Sequence, residues 1–176
     1  MGHAATVEAM KICIDIQSAV TQRAGVGRYT RELVQHLSAS APDDDFLLTY
    51  FDFKGRAAPI DAPDCTQKAI RWCPGRLAQL ARKTLNWPPY DMLAGEADLY
   101  HFPNFIIPPL RGKKSVVTIH DVSFIPYPHF AEERNVQYLR AHMGETIKRA
   151  DAIITVSEFS AREICNYLGA EEDRAF

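Results

Sequence analysis

Two hydrophobic periods alternate along this chain, and their alternation predicts the architecture. Apolar runs of strand length occur at Lys11–Ile16 (KICIDI), Phe46–Phe53 (FLLTYFDF), Ala97–Phe102 (ADLYHF), Ser115–Ile119 (SVVTI) and Ala152–Val156 (AIITV), with a shorter one at Lys68–Trp72. Between them apolar residues fall at helical spacing. Tyr29, Leu33, Val34 and Leu37 form one stripe and predict a helix from about Arg28 to Ser38. Val136, Leu139, Met143 and Ile147 form a second, on a helix over Ala131–Arg149. A last helix runs from Glu158 to Leu168, with Ser157 as its N-cap and Gly169 as its C-cap. Gln17–Gly27, residues 54–66 and Pro103–Gly112 read as loops. Strands that are apolar throughout, alternating with helices, predict an α/β domain: a Rossmann-like parallel sheet with helices on both faces.

In such sheets ligands gather beyond the carboxyl ends of the strands. That rule selects the loop after Ile16, the turn after Ile119 and Ser157. The first ends in Gly25-Val26-Gly27-Arg28 at the start of a helix. Glycine admits close backbone approach, helix N-terminal N–H groups attract phosphate, and Arg28 adds a positive charge. The loop departs from a dinucleotide fingerprint, because Thr30 stands where the third glycine belongs and Gly25 is far from the strand end. The alternative reading is a turn entering a helix with no ligand. The second place carries His120-Asp121. His120 can exchange a hydrogen bond or a proton, and Asp121 either orients it or caps the following turn. A third strand end holds His101, Phe102, Asn104 and Phe105, an aromatic and polar mixture that suits a sugar or lipid-linked acceptor and equally suits packing.

Composition changes this picture little. The chain has 176 residues, 47% hydrophobic and 24% charged, with a net charge of −2, so nothing global calls for nucleic acid or an anionic membrane. No apolar run approaches the ~20 residues that span a bilayer. Residues 1–9 (MGHAATVEA) read as a leader or an added extension, and the domain as 10–176. Cys13, Cys65, Cys73 and Cys165 form no CxxC pair, which favours a reduced, cytoplasmic setting and no metal site. Arg76, Arg82 and Lys83 share a short predicted helix over 76–85 with Leu77, Leu80 and Leu85, a surface helix that also suits peripheral contact with the inner face of a membrane. No Ser/His/Asp triad and no carboxylate pair stands out.

Three longer segments carry a resemblance. AGVGRYTRELVQHL (24–37), TIHDVSFIPYPHF (118–130) and RADAIITVSEFSAREICNYLGA (149–170) resemble, in order and spacing, the N-terminal domain of the GT-B glycosyltransferases of family 4, the retaining group 1 enzymes, most of all the mannosyltransferase-type members that build cell-surface polysaccharides. The resemblance implies two Rossmann-like domains facing across a cleft, this one holding the acceptor and a C-terminal one holding most of the nucleotide sugar. It implies that Gly25, Gly27 and Arg28 approach the donor diphosphate and that His120, with Asp121, lies at the chemistry. Tyr29, Phe102 and Asn104 are the acceptor-side candidates. The donor is a substrate such as GDP-mannose or a UDP-sugar, with no metal expected. The chain ends at EEDRAF (171–176), where the family runs into its interdomain linker. The expectation is therefore a fragment that lacks the C-terminal domain and is inactive alone. The competing reading is a non-catalytic Rossmann-like module that binds carbohydrate or nucleotide.

Overall fold

The computed structural model describes residues 9–71 and 88–176. The expected basic helix 76–85, Cys73 and all but the last residue of the expected extension lie outside those residues.

Six strands form one sheet: β1 (Lys11–Asp15), β2 (Asp45–Phe51), β3 (Thr66–Ile70), β4 (Leu99–Phe102), β5 (Lys114–Thr118) and β6 (Ala152–Ile154). Every neighbouring pair is parallel, in the order β3-β2-β1-β4-β5-β6. The described helices are α1 (Gln17–Thr21), α2 (Val26–Ser40), α3 (Tyr90–Ala94), α4 (Glu133–Arg149) and α5 (Glu158–Leu168).

Successive side chains on a strand face opposite ways, so a strand buried on both faces must be apolar at every position. β1 and β2 show this directly. Ile12, Ile14, Phe46, Leu48 and Tyr50 enter one core with Val34 of α2, while Cys13 and Leu47 enter the other. That second core also takes Val136, Met143 and Ile147 of α4 and Ile164 of α5. Helices thus cover both faces, as expected for a Rossmann-like sheet. Burying each of these large side chains stabilises the fold by roughly 1.5–3 kcal/mol.

Two expectations need correction. Gln17–Gly27 is not wholly a loop: it contains α1, and α2 begins at Val26 rather than Arg28. The short α3 over Tyr90–Ala94 was also not foreseen. Neither is long enough to show a period; both are held by tertiary bonds. Asp15 Oδ1 accepts from Gln17 N–H at 2.8 Å, and Gln17 Oε1 accepts from Phe51 N–H at 2.8 Å. Arg31 of α2 donates to the carbonyls of Ala19, Gln22 and Arg23, closing the end of α1 and fixing the loop beyond it. In α3, the buried Asp91 carboxylate accepts from Arg111 Nε at 2.6 Å and from Arg111 N–H at 3.2 Å.

After β1 the chain builds outward through β2 and β3, then returns to β4 on the other side of β1. The connection reverses at β1/β4, and the crevice between their carboxyl ends is where this topology binds ligands. Among the described residues no helix is long and apolar enough to cross a membrane.

Candidate functional site

At that crevice lies a pocket of about 200 Å³. Asp15, Gln17 and Ser18 line it from the end of β1, Phe102 and Asn104 from the end of β4, and Tyr138 from α4. Tyr90 of α3 and Phe51 of β2 complete its aromatic side. Tyr90 packs edge-on against Phe102, ring centroids 5.1 Å apart, and its hydroxyl shares a 2.7 Å hydrogen bond with Thr49 Oγ1. Phe102 is therefore a fixed wall, while Asn104 stands exposed at the rim.

His120 follows β5 and is bonded to the same wall. Its Nε2 lies 3.0 Å from the carbonyl of Pro103, another lining residue. A carbonyl only accepts, so Nε2 carries the proton, and in the neutral ring Nδ1 is an acceptor. The Tyr29 ring meets the imidazole edge-on at 4.8 Å, and Phe105 packs against it at 5.5 Å. Phe105 sits at φ 60°, a region that bulky side chains rarely occupy. Ile106 N–H closes a tight turn around it onto Asn104 O at 2.7 Å. Such strain costs on the order of 1–3 kcal/mol and persists only where surroundings impose it. Here Phe105 N–H donates to Thr118 O at 3.0 Å and the ring rests on His120.

Beneath His120 runs a polar chain. Tyr29 Oη lies 3.2 Å from Thr118 Oγ1, which lies 3.0 Å from Nε2 of the buried His101. Burial drives the His101 pKa down to about 4, so this imidazole is neutral near physiological pH. Tyr29 is thus tied to the sheet end and to His120 at once; it does not line the pocket among the described residues.

The remaining candidates divide between structural and open positions. The Asp121 carboxylate accepts from Ser123 N–H at 2.9 Å and from Ser123 Oγ at 2.6 Å. It caps the turn, and the contact that orients His120 is Pro103 O. A side chain at Gly27 would put its Cβ 2.2 Å from Gln22 O and 2.7 Å from Ser18 O, so this glycine lets α2 pack on α1. Gly25 caps α2 at φ 58°, ψ −129°, a conformation suited to glycine, and a Cβ there would meet nothing within 4 Å. The structure thus separates the two glycines: Gly27 faces protein, Gly25 faces open space. Arg28 is exposed, with its Nε 3.9 Å from Glu32 Oε1, a surface contact worth little. Ser157 Oγ accepts from Ser160 N–H at 3.1 Å and caps α5. Among the described residues no group of three or more His, Cys, Asp or Glu side chains gathers as metal ligands.

Sequence reasoning missed Asp15, Gln17, Ser18, Tyr90 and Tyr138. Asp15 carried a weak signal, as a polar residue at the end of an apolar strand. Tyr138, in contrast, lies outside the apolar stripe of its helix, and only the packing of α4 against the sheet brings it to the pocket.

Residues 23–175 match the model of Glycosyltransferase Family 4. The chain belongs to that family. The O-antigen chain mannosyltransferase B of Escherichia coli is 29% identical over 178 residues, an alignment that takes in 94% of this chain and 45% of the relative. The chain thus spans less than half the length of that protein. For a family 4 domain the six-stranded parallel sheet is consistent with the N-terminal half of a GT-B fold.

Proposed function

We propose that this chain is the acceptor-side domain of a retaining family 4 glycosyltransferase that moves a hexose, mannose first among the candidates, from a nucleotide sugar to a saccharide or lipid-linked acceptor in cell-surface polysaccharide synthesis. Membership of the family and the similarity to the E. coli O-antigen chain mannosyltransferase B support the class. The observation that carries the site is a shared residue: Pro103 lines the pocket and its carbonyl accepts from His120 Nε2.

In this reading the pocket holds the acceptor, and His120 Nδ1 accepts a hydrogen bond from a sugar hydroxyl at the transfer point. Asp121 shapes the turn that presents the imidazole. The donor diphosphate meets the open side of Gly25, the first N–H groups of α2 and Arg28, where helix N-termini favour anions. GDP-mannose or a UDP-sugar is the donor, and the reading assigns no metal to this half. The protein works in the cytoplasm, at or near the inner face of the membrane.

A transition state needs both reactants held together, and this chain supplies one wall of the cleft. We expect no transfer from the 176-residue chain alone and transfer when it is joined to a C-terminal donor-binding domain of the family. The test is a panel of labelled nucleotide sugars against saccharide and lipid-linked acceptors, with both proteins. No product from the two-domain protein with any donor would leave the non-catalytic module as the better reading. Turnover by the chain alone would overturn the assignment of donor binding to another domain.

A further inference from the structure

The pocket at β1/β4 is small, and its size limits what enters it. Sites for drug-sized ligands run to ~300–1,000 Å³; this one is about 200 Å³. A single sugar ring is of a size with this pocket, whereas a whole nucleotide sugar would extend well beyond it. The chemistry of the lining narrows the class further. Gln17 Oε1 is taken by Phe51 N–H, which fixes the amide and, among the described residues, leaves its N–H₂ without a protein partner. Among the described residues the exposed side-chain amide of Asn104 at the rim has no partner either. Neutral amides both donate and accept, which suits hydroxyl groups that do the same.

Tyr138 adds an aromatic face. It projects from α4 at the edge of the pocket, 51% exposed. His142, one turn later, stacks on its ring at 4.5 Å and 30°. His142 Nδ1 lies 2.9 Å from Tyr138 O, so the imidazole is itself fixed and backs the phenol ring. An exposed aromatic ring held in one orientation beside unpaired amides presents a flat apolar surface and hydrogen-bonding groups together. The C–H face of a pyranose and its hydroxyls match that pair of surfaces.

We propose that this pocket binds the terminal pyranose of a neutral saccharide acceptor, with Tyr138 as the platform under the ring and Gln17 and Asn104 reading its hydroxyls. This deepens the reading above and rests on it: the acceptor is recognised by its last sugar rather than by a phosphate or lipid portion. His142 is a positioning residue, acting through Tyr138.

Saturation-transfer NMR on the 176-residue chain with methyl α-mannopyranoside, methyl α-glucopyranoside and methyl α-galactopyranoside tests it. At least one should bind saturably, with transfer strongest to ring C–H protons. Tyr138→Ala should weaken binding roughly three- to tenfold, the range of one aromatic contact, while Tyr138→Phe keeps it. Tyr138 is half-exposed, so neither change threatens the core. Failure of all three pyranosides to bind, equal binding by Tyr138→Ala, or displacement of the sugar by inorganic phosphate would each overturn the proposal. Sugar binding without transfer by the two-domain protein would sink only the enzymatic reading. Transfer whose acceptor KM ignores Tyr138→Ala would sink only this one.

Discussion

His120 and Pro103 are joined by a 3.0 Å hydrogen bond from imidazole Nε2 to the backbone carbonyl. That bond ties the residue nearest the expected chemistry to the wall of the pocket. It also fixes the tautomer, since the bonded nitrogen must be the protonated one.

Two substitutions at His120 separate its roles. His120→Ala removes both the imidazole and the Pro103 anchor. His120→Gln can return an amide N–H near the position of Nε2 while lacking the Nδ1 acceptor. If the proposed function holds, both should lose transfer by roughly 10²–10⁴-fold in a two-domain protein, the range of a positioned acid–base group, against a stability loss of about 1 kcal/mol for the lost bond. Near-normal turnover by His120→Gln would reduce His120 to a prop for the pocket wall.

Gly27 and Gly25 should fail in different ways. Gly27→Ala gains up to ~1 kcal/mol of helix propensity but drives a methyl into two backbone carbonyls at 2.2 and 2.7 Å. Those carbonyls cannot swing aside, so the clash wins, with a net loss of roughly 1–3 kcal/mol in urea unfolding. Gly25→Ala meets nothing and carries only backbone strain at φ 58°, ψ −129°, on the order of 1–3 kcal/mol. If the donor passes Gly25, this variant loses transfer beyond its loss of folded fraction. A Gly27→Ala protein as stable as the parent would remove the packing argument.

Acid should destabilise the fold through His101. Burial lowers its pKa from 6.5 to about 4. Between those values the unfolded chain takes up a proton that the folded chain refuses. The stability is whole above pH 6.5 and falls as pH drops toward 4, by on the order of 3 kcal/mol from this group. Urea midpoints of the parent and His101→Gln across that window measure the difference. Parallel curves would show that His101 is not the group responsible.

Arg111→Ala leaves the Asp91 carboxylate, whose side chain is 0% exposed, without its guanidinium. Breaking a buried pair costs ~3–5 kcal/mol, and the half-exposed Arg111 reduces that to about 2 kcal/mol, since Arg111 N–H remains a partner. Thermal unfolding checks this. No change would mean that the guanidinium adds nothing to the other bonds that hold α3, from Arg111 N–H and Lys68 Nζ.

The sequence by itself determined the sheet and its principal helices. Continuous apolar strands such as SVVTI and the stripe Val136–Leu139–Met143–Ile147 reflect burial that is repeated along an element, and repetition is what a one-dimensional pattern records. It also placed Phe102, Asn104 and His120 at strand ends, because the rule for parallel sheets needs only strand boundaries, and Gly25 at the start of a helix. Tertiary structure decided the rest. The helices α1 and α3 are five residues each and exist through Gln17–Phe51 and Asp91–Arg111 bonds between distant segments. Whether Gly27 faced a ligand or a neighbouring helix depended on where α1 lay. Tyr138 reached the pocket, and His120 reached Pro103, only once α4 and β4 were packed on the same sheet. Such contacts join residues far apart in the chain, and no local periodicity encodes them.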